Sequence, residues 1–458
     1  MSIPPGRALG LYLTGLGPVI GGYLAFDKAF AYLHIPGTPL FVGELLLLVG
    51  VVGLLTGTGY LRARLRDDPV LLLLAVFAGW GLIRTLPGLS LHGIDAVRDA
   101  ALWYYAIHAF VVVAAFERSP ERLERLVGGL IRLVPWLLAW LPFAVVLASV
   151  ADRAPSVPWS TVSVLNHKPG NAALAALVAL GALWLCPGRP GTRARAWWTI
   201  VAVLVIGLVG TQNRGGLLAA VAAAGVGLAC VPRQVRGRAV LGAVACLTVT
   251  ALVLAVVPVP VGGAQGREYS ASQLVSNLLS LQSSDVPGNL TGTTRGRIVL
   301  WSRVMEHRIE SGDLLVGSGF GPNLAVEVGV YDDGTVALRN PHNSHLDIVA
   351  RMGLFGIVLW ISLWCAWYRR MIVGCRVLAS RGRDLSRRLS ILCVVLATAV
   401  GVSSVFDPQL EGAQVAVPLW TAFGIGTVLT RRARPGGAPA PQAGPARPDP
   451  VSPGGPGW

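Results

Sequence analysis

The sequence has few charged residues, and lysine is almost missing from it. Only 13% of its 458 residues are charged, and the lysines are Lys28 and Lys168. A soluble domain of this length needs a more polar surface, so the composition excludes a water-soluble protein. Zinc-protease, Asp-x-Asp and Walker patterns are also missing, so the sequence supports neither a metal nor a nucleotide nor another cofactor.

Cysteine is scarce as well. No two cysteines have a CxxC spacing or share one predicted outer loop, which argues against disulfides and a cysteine metal site. The six are Cys186, Cys230, Cys246, Cys365, Cys375 and Cys393.

Long apolar stretches dominate the amino-acid sequence. Hydrophobic residues make up 53% of the chain, the mean hydropathy is +0.61, and apolar runs of roughly 17–25 residues are long enough to cross a bilayer. The pattern predicts an all-α, polytopic integral membrane protein with about twelve transmembrane helices. The expected spans are 9–26, 39–60, 69–87, 100–116, 127–150, 171–186, 197–212, 215–231, 239–259, 345–368, 389–406 and 413–430. We interpret the first as a retained span rather than a removed signal peptide.

The net charge of +15 is explained by topology rather than by nucleic-acid binding. Arginines cluster in every second loop, which is the positive-inside pattern. An even number of spans and a basic end then place both termini on the cytoplasmic side of the plasma (inner) membrane. The clusters are 62–66, 118–125, 189–195, 233–238, 369–388 and 431–434.

The expected spans divide the chain into four parts. Residues 1–259 hold nine spans, 260–344 form one long extracytoplasmic loop, 345–430 hold three spans, and 431–458 form a disordered Pro/Gly-rich tail. Long loops with internal structure are usually functional. Two helices are expected inside this loop, Ser272–Ser280 and an amphipathic one over Arg297–Glu310. The second has a predicted apolar face of Ile298, Trp301, Val304, Met305 and Ile309.

A histidine-containing segment lies where the long loop enters the tenth span. Asn340 is a suitable N-cap and Pro341 a suitable first helical residue, which would place His342 in the first turn. Unpaired N–H groups there favour an anion and a neutral imidazole, and a neutral imidazole can accept a proton. His345 would then share a face with His342. The alternative is a histidine that only caps a helix end.

An arginine stands in a tight turn between two apolar runs, at Thr211-Gln-Asn-Arg-Gly-Gly216. Arg214 interrupts the charge alternation, and a guanidinium suits phosphate oxygens. The glycine pair would let a ligand approach the backbone. The alternative is an arginine that reaches the headgroups. Arg297, at the expected start of the amphipathic helix, is a second candidate for a diphosphate, or an ordinary solvated arginine.

Other polar residues carry weaker signals. Glu44 is expected as a buried polar contact, and the acidic pair Asp407 and Glu411 could orient an acceptor. Asp95, Arg98 and Asp99 are expected to pair locally. The run 317–321, Gly-Ser-Gly-Phe-Gly, has no surrounding strand–helix unit and is not a dinucleotide loop.

Three motifs occur in one order. Asn-Arg-Gly-Gly lies between two spans, Arg-x-x-x-Trp lies early in a long outer loop, and Gly-x-Gly-x-Gly is followed by His-Asn-Ser-x-Leu before a Gly-Leu-x-Gly span. Together they resemble the O-antigen ligase and O-antigen polymerase superfamily of bacterial membrane glycosyltransferases, best over residues 199–368. The family's arginine turn more often reads Ser-Arg-Gly, so Asn213 departs from it.

The resemblance implies an enzyme of cell-envelope polysaccharide biosynthesis that needs no metal. Its donor would be an undecaprenyl-diphosphate-linked glycan, and its acceptor a hydroxyl of a glycan or glycolipid on the outer face of the plasma membrane. Arg214 and Arg297 would hold the diphosphate and His342 would activate the acceptor, with Asn343 and His345 on the acceptor side. The motifs leave ligase and polymerase open.

A transporter or flippase of lipid-linked oligosaccharide is the alternative function. It would favour polar groups at mid-membrane and internal repeats, whereas these polar groups gather on one side and no repeat is visible. A scaffold without catalytic function is the third interpretation.

Overall fold

The computed structural model describes residues 5–56, 58–186, 191–230, 269–279, 289–330 and 339–433, with isolated residues between 236 and 255. Its regular structure in these ranges is helical, as expected. The helices are α1 (Pro5–Ala31), α2 (Val42–Leu55), α3 (Thr58–Asp67), α4 (Pro69–His92), α5 (Ile94–Asp99), α6 (Ala101–Tyr104), α7 (Ile107–Arg118), α8 (Pro120–Leu147), α9 (Pro169–Leu185), α10 (Thr192–Gln212), α11 (Arg214–Ala229), α12 (Ala271–Leu279), α13 (Asn289–Glu310), α14 (Leu324–Glu327), α15 (Ser344–Ser380), α16 (Asp384–Ser403) and α17 (Ala413–Arg431).

Seven helices are long and apolar enough to cross a membrane, and the bent series Ile94–Tyr104 and Ile107–Arg118 makes an eighth if it is one span. Helices α2, α9 and α11 are apolar but shorter, with 10–17 residues. The chain is therefore a multi-helix membrane protein, while the expected count of about twelve is not confirmed. Most of the ninth expected span, 239–259, and nearly all of the tail lie outside the described residues.

Helix α17 occupies the centre of the bundle and is buried along almost its whole length. Its Trp420 and Phe423 pack against Trp360, Trp364 and Trp367 of α15 at centroid distances of 5.1–6.1 Å. Large aromatic side chains fill the space between long helices efficiently. This packing fixes α15, whose first turn follows His342.

Helix α15 is interrupted at Gly353, where φ is 71° and ψ is −172°. The break leaves backbone groups on both sides without partners inside the helix, and the segment 314–319 provides these partners. The backbone N–H of Ser318 donates to the Ala350 carbonyl at 2.8 Å, and the backbone N–H of Leu354 donates to the Leu314 carbonyl at 2.9 Å. The glycine-rich run 317–321 therefore packs against the break in α15, consistent with its exclusion as a dinucleotide loop.

The long loop contains helices near both expected positions. Helix α12 matches the expected 272–280, but α13 begins at Asn289, so Arg297 does not open it. Only part of the expected apolar face of α13 is buried against the rest of the protein. Ile298 and Ile309 are exposed, whereas the buried positions are Leu300, Val304 and Arg308. The charged Arg308 is buried because it pairs with Asp313 and Glu327.

The acidic residues of α5 do not pair locally, contrary to expectation. Asp95 and Asp99 bind Arg339 at 3.1 and 3.3 Å, and Asp99 also binds Arg351 at 3.1 Å. These partners lie more than two hundred residues away in sequence. The ion pairs hold the chain just before His342 against α5. Glu44 makes the expected polar contact, since it accepts hydrogen bonds from Tyr104 and Tyr105, but it is half-buried rather than buried.

Candidate functional site

A turn between α16 and α17, residues 404–410, brings together three distant parts of the chain. The Phe406 carbonyl accepts a hydrogen bond from Nη1 of Arg297 at 2.7 Å. The Asp407 carboxylate pairs with Nζ of Lys168 at 3.4 Å. The Ser404 carbonyl accepts from the backbone N–H of Ser344 at 2.8 Å. Because none of these partners is near the turn in sequence, this turn organises the site.

Three helix N-termini meet at this turn. Helix α9 begins at Pro169, α11 at Arg214 and α15 at Ser344. Helices α9 and α11 start side by side, since a Cβ on Gly216 would lie 2.8 Å from the Cα of Gly170. Each N-terminus carries partial positive charge, although Asn213 and Asn343 already accept some of the first N–H groups of α11 and α15. Their convergence favours an anion at this end of the bundle.

Arg214 is the first residue of α11, directly after Asn213, whose side chain accepts the Gly216 N–H at 2.9 Å. The arginine therefore occupies the expected turn between two helices. The expected use of the glycine pair is wrong. A Cβ on Gly215 would lie 2.8 Å from Phe406 Cβ, so the glycines admit neighbouring protein chain rather than a ligand. This close packing places Arg214 beside the 404–410 turn.

The Arg-x-x-x-Trp motif lies on one face of α13. Arg297 donates to the Phe406 carbonyl, and one turn later Trp301 donates from Nε1 to the Pro341 carbonyl at 2.7 Å. A spacing of four residues places both side chains on the same side of a helix. Helix α13 thus contacts both the turn and the segment that contains His342. Arg297 also lies near enough to Arg214 for the two positive charges to repel.

The segment 339–343 does not start a helix, contrary to expectation. Helix α15 begins at Ser344 with Asn343 as its N-cap, and Oδ1 of Asn343 accepts the His345 and Leu346 N–H groups at 3.0 and 3.1 Å. Asn343, expected on the acceptor side, uses Oδ1 as a helix cap. His342 precedes the cap and does not share a helical face with His345.

His342 has a left-handed backbone, with φ of 51°, which is uncommon for a residue other than glycine. Its neighbours hold it in place. Oδ1 of Asn340 accepts the His342 N–H at 3.1 Å, and the Asn340 amide donates to Glu411. Burial and the charge of Asp347 raise the pKa of Glu411 well above its usual range. Strained backbone held by such contacts is typical of functional sites.

The surroundings of His342 keep its imidazole neutral. Burial, then the charges of Lys168 and Arg297, lower its pKa to about 4, while Asp407 opposes them and Lys28 adds to them. Its Nδ1 is buried and has no hydrogen-bond partner among the described residues. A neutral ring with an open nitrogen can accept a hydrogen bond or a proton from a substrate.

His345 is occupied elsewhere. Its Nδ1 accepts a hydrogen bond from Nε1 of Trp360 at 3.2 Å, so its Nε2 carries the proton and donates to the Gly401 carbonyl at 2.9 Å. Both ring nitrogens have protein partners. His345 therefore joins α15 to α16 rather than facing an acceptor.

Sequence reasoning missed Lys28, Lys168 and Asp27 as members of the site. The Asp27 carboxylate accepts the backbone N–H of Lys168 and the side-chain amide of Asn171, both at 2.7 Å. Lys28 and Lys168 lie near enough to repel each other. The rarity of lysine is the signal that could have indicated them, because the two lysines of the chain both lie in this site.

The six side chains Lys28, Lys168, Arg214, Arg297, Asp27 and Asp407, together with His342, are called the cationic cluster below. Four are cationic and two are carboxylates, so the cluster has a net charge of +2 when His342 is neutral. Within the described ranges, no three His, Cys, Asp or Glu residues are grouped so that they could hold a metal ion.

Residues 199–361 of the chain match the family model described as O-antigen ligase. This range includes Arg214, Arg297 and His342, and no curated protein matches the chain. The match confirms, over residues 199–361, the motif-based resemblance to the O-antigen ligase and O-antigen polymerase superfamily.

Proposed function

We propose that this protein transfers a glycan from undecaprenyl diphosphate to an acceptor hydroxyl at the outer face of the plasma membrane, without a metal. The observation that carries the proposal is the position of a neutral His342 beside Arg297 and Lys168, with an Nδ1 that has no hydrogen-bond partner in the part of the chain that the structure describes. Both termini would be cytoplasmic, and the long loop that contains Arg297 would lie outside.

The donor side of the proposal rests on charge. Each phosphate of a diphosphate diester carries one negative charge, so the net charge of the cationic cluster matches the donor. Arg214 and Arg297 are best suited to the diphosphate, because a guanidinium binds phosphate oxygens through two parallel hydrogen bonds. The N-termini of α9, α11 and α15 add partial positive charge.

The acceptor side rests on His342. In the proposed step the acceptor oxygen attacks the anomeric carbon of the donor sugar and forms the new glycosidic bond. The bond from that carbon to the diphosphate oxygen breaks, and its electron pair leaves with undecaprenyl diphosphate. The acceptor proton passes to Nδ1 of His342, and the two arginines stabilise the charge that develops on the leaving group.

A direct test uses purified protein in bilayer nanodiscs with a lipid-linked glycan donor. Arg214→Ala, Arg297→Ala and His342→Ala should each insert normally yet lose activity by about 10²–10³-fold, the effect of removing one transition-state contact. Arg381→Ala is the matched control, because Arg381 is exposed at the opposite end of α15. Full transfer by His342→Ala protein would remove that residue from the mechanism, and loss of wild-type activity with EDTA would contradict metal independence.

The type of transfer is decided by the glycolipids that accumulate in a deletion strain. Single repeat units on undecaprenyl diphosphate would indicate a polymerase, and long lipid-linked chains would indicate a ligase. An unchanged glycolipid profile would contradict the transferase function and favour the transporter or scaffold alternatives.

A further inference from the structure

Glu411, just before α17, is linked to His342 by two consecutive hydrogen bonds. The Asn340 side-chain amide donates to Oε2 of Glu411, and Oδ1 of the same amide accepts the His342 N–H at 3.1 Å. The backbone at His342 is left-handed, with φ of 51°, and such a conformation persists only where surrounding contacts hold it. Glu411 therefore supports the backbone of the proposed proton acceptor from a distant part of the chain.

The carboxyl group of Glu411 also lies within hydrogen-bond reach of the Asp347 carboxyl group, on the first turn of α15. Oε1 of Glu411 and Oδ2 of Asp347 are both buried, and neither meets a hydrogen-bond donor among the described residues. Ionised carboxylates only accept hydrogen bonds, so two of them cannot bond to each other. One proton between the two groups would give both oxygens a partner.

Carboxyl groups outnumber cations around Glu411. Asp347 pairs with Arg351 at 3.0 Å, and the same arginine binds Asp99 at 3.1 Å. The charged groups at this junction are Asp95 and Asp99 of α5, Asp347 and Arg351 of α15, Arg339, Glu411, and the separate ion pair of Asp407 with Lys168. An excess of buried negative charge is costly unless a proton neutralises it. Burial and the charge of Asp347 raise the pKa of Glu411 well above its usual range, which assigns the proton to Glu411.

We propose that Glu411 is a positioning residue, which shares one proton with Asp347 and thereby holds Asn340 and the backbone of His342 in the geometry needed for transfer. The inference rests on the proposed function, since it concerns the support of the same proton acceptor. The carboxyl group of Glu411 contacts Asn340 and Asp347, so it acts through Asn340 and not on the substrate.

The shared proton makes this support dependent on pH. Below the raised pKa of Glu411 the proton is present and joins the two carboxyl groups. As pH rises through that pKa the proton is lost, and two buried carboxylates then repel each other. The repulsion would separate Glu411 from Asn340, so transfer should decline on the alkaline side of its pH profile.

Three variants and a control separate the parts of this proposal. Glu411→Gln can accept from Asn340 and donate to Asp347, as the protonated acid does, but it cannot titrate. Glu411→Leu has a similar volume and can do neither. Asn340→Ala removes the intermediate amide. Glu310→Gln is the control, because it replaces an exposed carboxyl group at the end of α13.

The first measurements are kcat in nanodiscs with a lipid-linked glycan donor, and affinity for undecaprenyl diphosphate. Glu411→Leu should lower kcat by roughly 10–10²-fold, the effect of a misplaced catalytic group, and leave the affinity unchanged, because the cationic cluster is intact. Glu411→Gln should keep nearly the wild-type rate and lose the alkaline limb, which Glu310→Gln retains. Asn340→Ala should also lower kcat. Combined with Glu411→Leu it should add little, because both changes interrupt one relay.

Two further measurements do not depend on activity. Hydrogen exchange of the peptide that contains residues 340–343 should be faster in Glu411→Leu by about fivefold or more, the effect of one lost hydrogen bond, and close to wild type in Glu411→Gln. The infrared carbonyl band of a protonated carboxyl group should appear in the wild-type protein and be absent from the Glu411→Gln protein.

Wild-type kcat in Glu411→Leu protein would overturn the positioning role, and so would additive losses in the double variant. An alkaline limb that persists in Glu411→Gln, or an infrared band that this variant retains, would overturn the shared proton. If Glu411→Leu does not fold, the rate, alkaline limb and infrared band of Glu411→Gln decide. If wild type transfers no glycan, the proposed function fails, whereas hydrogen exchange and the infrared band still decide whether Glu411 shares a proton and holds the segment.

Discussion

The ammonium of Lys168 lies 3.4 Å from Oδ1 of Asp407, although 239 residues separate them. The pair joins the start of α9 to the turn before α17, and it places a cation of the cluster beside His342. Lys168 is partly exposed, with 28% of its side chain accessible. It can therefore contact both protein and substrate. Replacing Lys168 also offers a way to change the pKa of His342 without replacing the histidine.

The two histidines at positions 342 and 345 should behave differently when replaced. His342→Ala should leave the melting temperature nearly unchanged, because Nδ1 of His342 has no protein partner among the described residues, and it should lower transfer by about 10²–10³-fold. His345→Ala should lower the melting temperature, because it removes the bonds to Trp360 and Gly401. A lost hydrogen bond of this kind costs about 1–3 kcal/mol. Thermal unfolding and transfer rate, measured on the same preparations, separate the two roles.

His345→Gln is the control for that comparison, because glutamine can restore one of the two hydrogen bonds. It should recover part of the lost stability. A folded His345→Ala protein without any transfer activity would contradict the structural role given to His345.

Asp27 should be needed to hold Lys168 in place. Asp27→Ala leaves the Lys168 N–H and the buried Asn171 amide without their acceptor, which should destabilise the protein by about 1–3 kcal/mol. Donor affinity should fall too, because the start of α9 loses its attachment. Asp152→Ala, which removes an exposed carboxylate, should change neither the melting temperature nor donor binding. Wild-type donor affinity in Asp27→Ala protein would show that Asp27 does not position the cluster.

The sequence predicts features that depend on neighbouring residues better than features that depend on contacts between residues far apart in the chain. Apolar runs predict the positions of the long apolar helices, because span length follows from bilayer thickness, but the expected count of about twelve spans is not confirmed. The sequence places the N-cap of α15 at Asn340, three residues before the cap in the structure, Asn343. Both asparagines are acceptable caps, and the contact of Asn340 with Glu411 distinguishes them. Local propensity contains no information on that distant partner.

The candidate site divides in the same way. Arg214, Arg297 and His342 are marked by motifs, and the structure brings them into one cluster. Lys168 and Asp27 have no motif around them, and their membership depends on a kink at Asp27 with φ of 47°. A kink of this kind is determined by tertiary packing rather than by the sequence pattern on either side.

Gly353 should tolerate no side chain. Its φ of 71° disfavours other residues, and a Cβ there would lie 2.2 Å from the Leu315 carbonyl oxygen. Gly353→Ala should therefore cost about 1–3 kcal/mol from backbone strain alone and separate the glycine-rich run from α15. Gly79→Ala is the control, because Gly79 lies in helix α4 with open space around its Cβ position. Equal melting temperatures for the two variants would contradict the packing described at the break in α15.

The pH dependence of transfer should respond to Lys168. If neutral His342 accepts the proton, the rate falls as pH drops through its pKa, which lies at about 4. Lys168 is one of the charges that lower this pKa, so Lys168→Gln should raise it and move the acid limb of the rate profile to higher pH. Asp407→Asn should move the limb to lower pH, because the Asp407 charge raises the same pKa. Each unit of displacement corresponds to about 1.4 kcal/mol of interaction with the imidazolium.

The profiles are measured under single-turnover conditions at saturating donor, so that weaker binding does not mimic a shift. Arg381→Gln removes an exposed cation far from the cluster and should leave the acid limb where it is in wild type. An acid limb that stays in place in both Lys168→Gln and Asp407→Asn would mean that the rate does not depend on the protonation of His342. The imidazole would then serve to bind the acceptor hydroxyl, and the proton would have to leave by another route. Opposite displacements in the two variants, together with a fixed limb in the control, would assign the acid limb to His342.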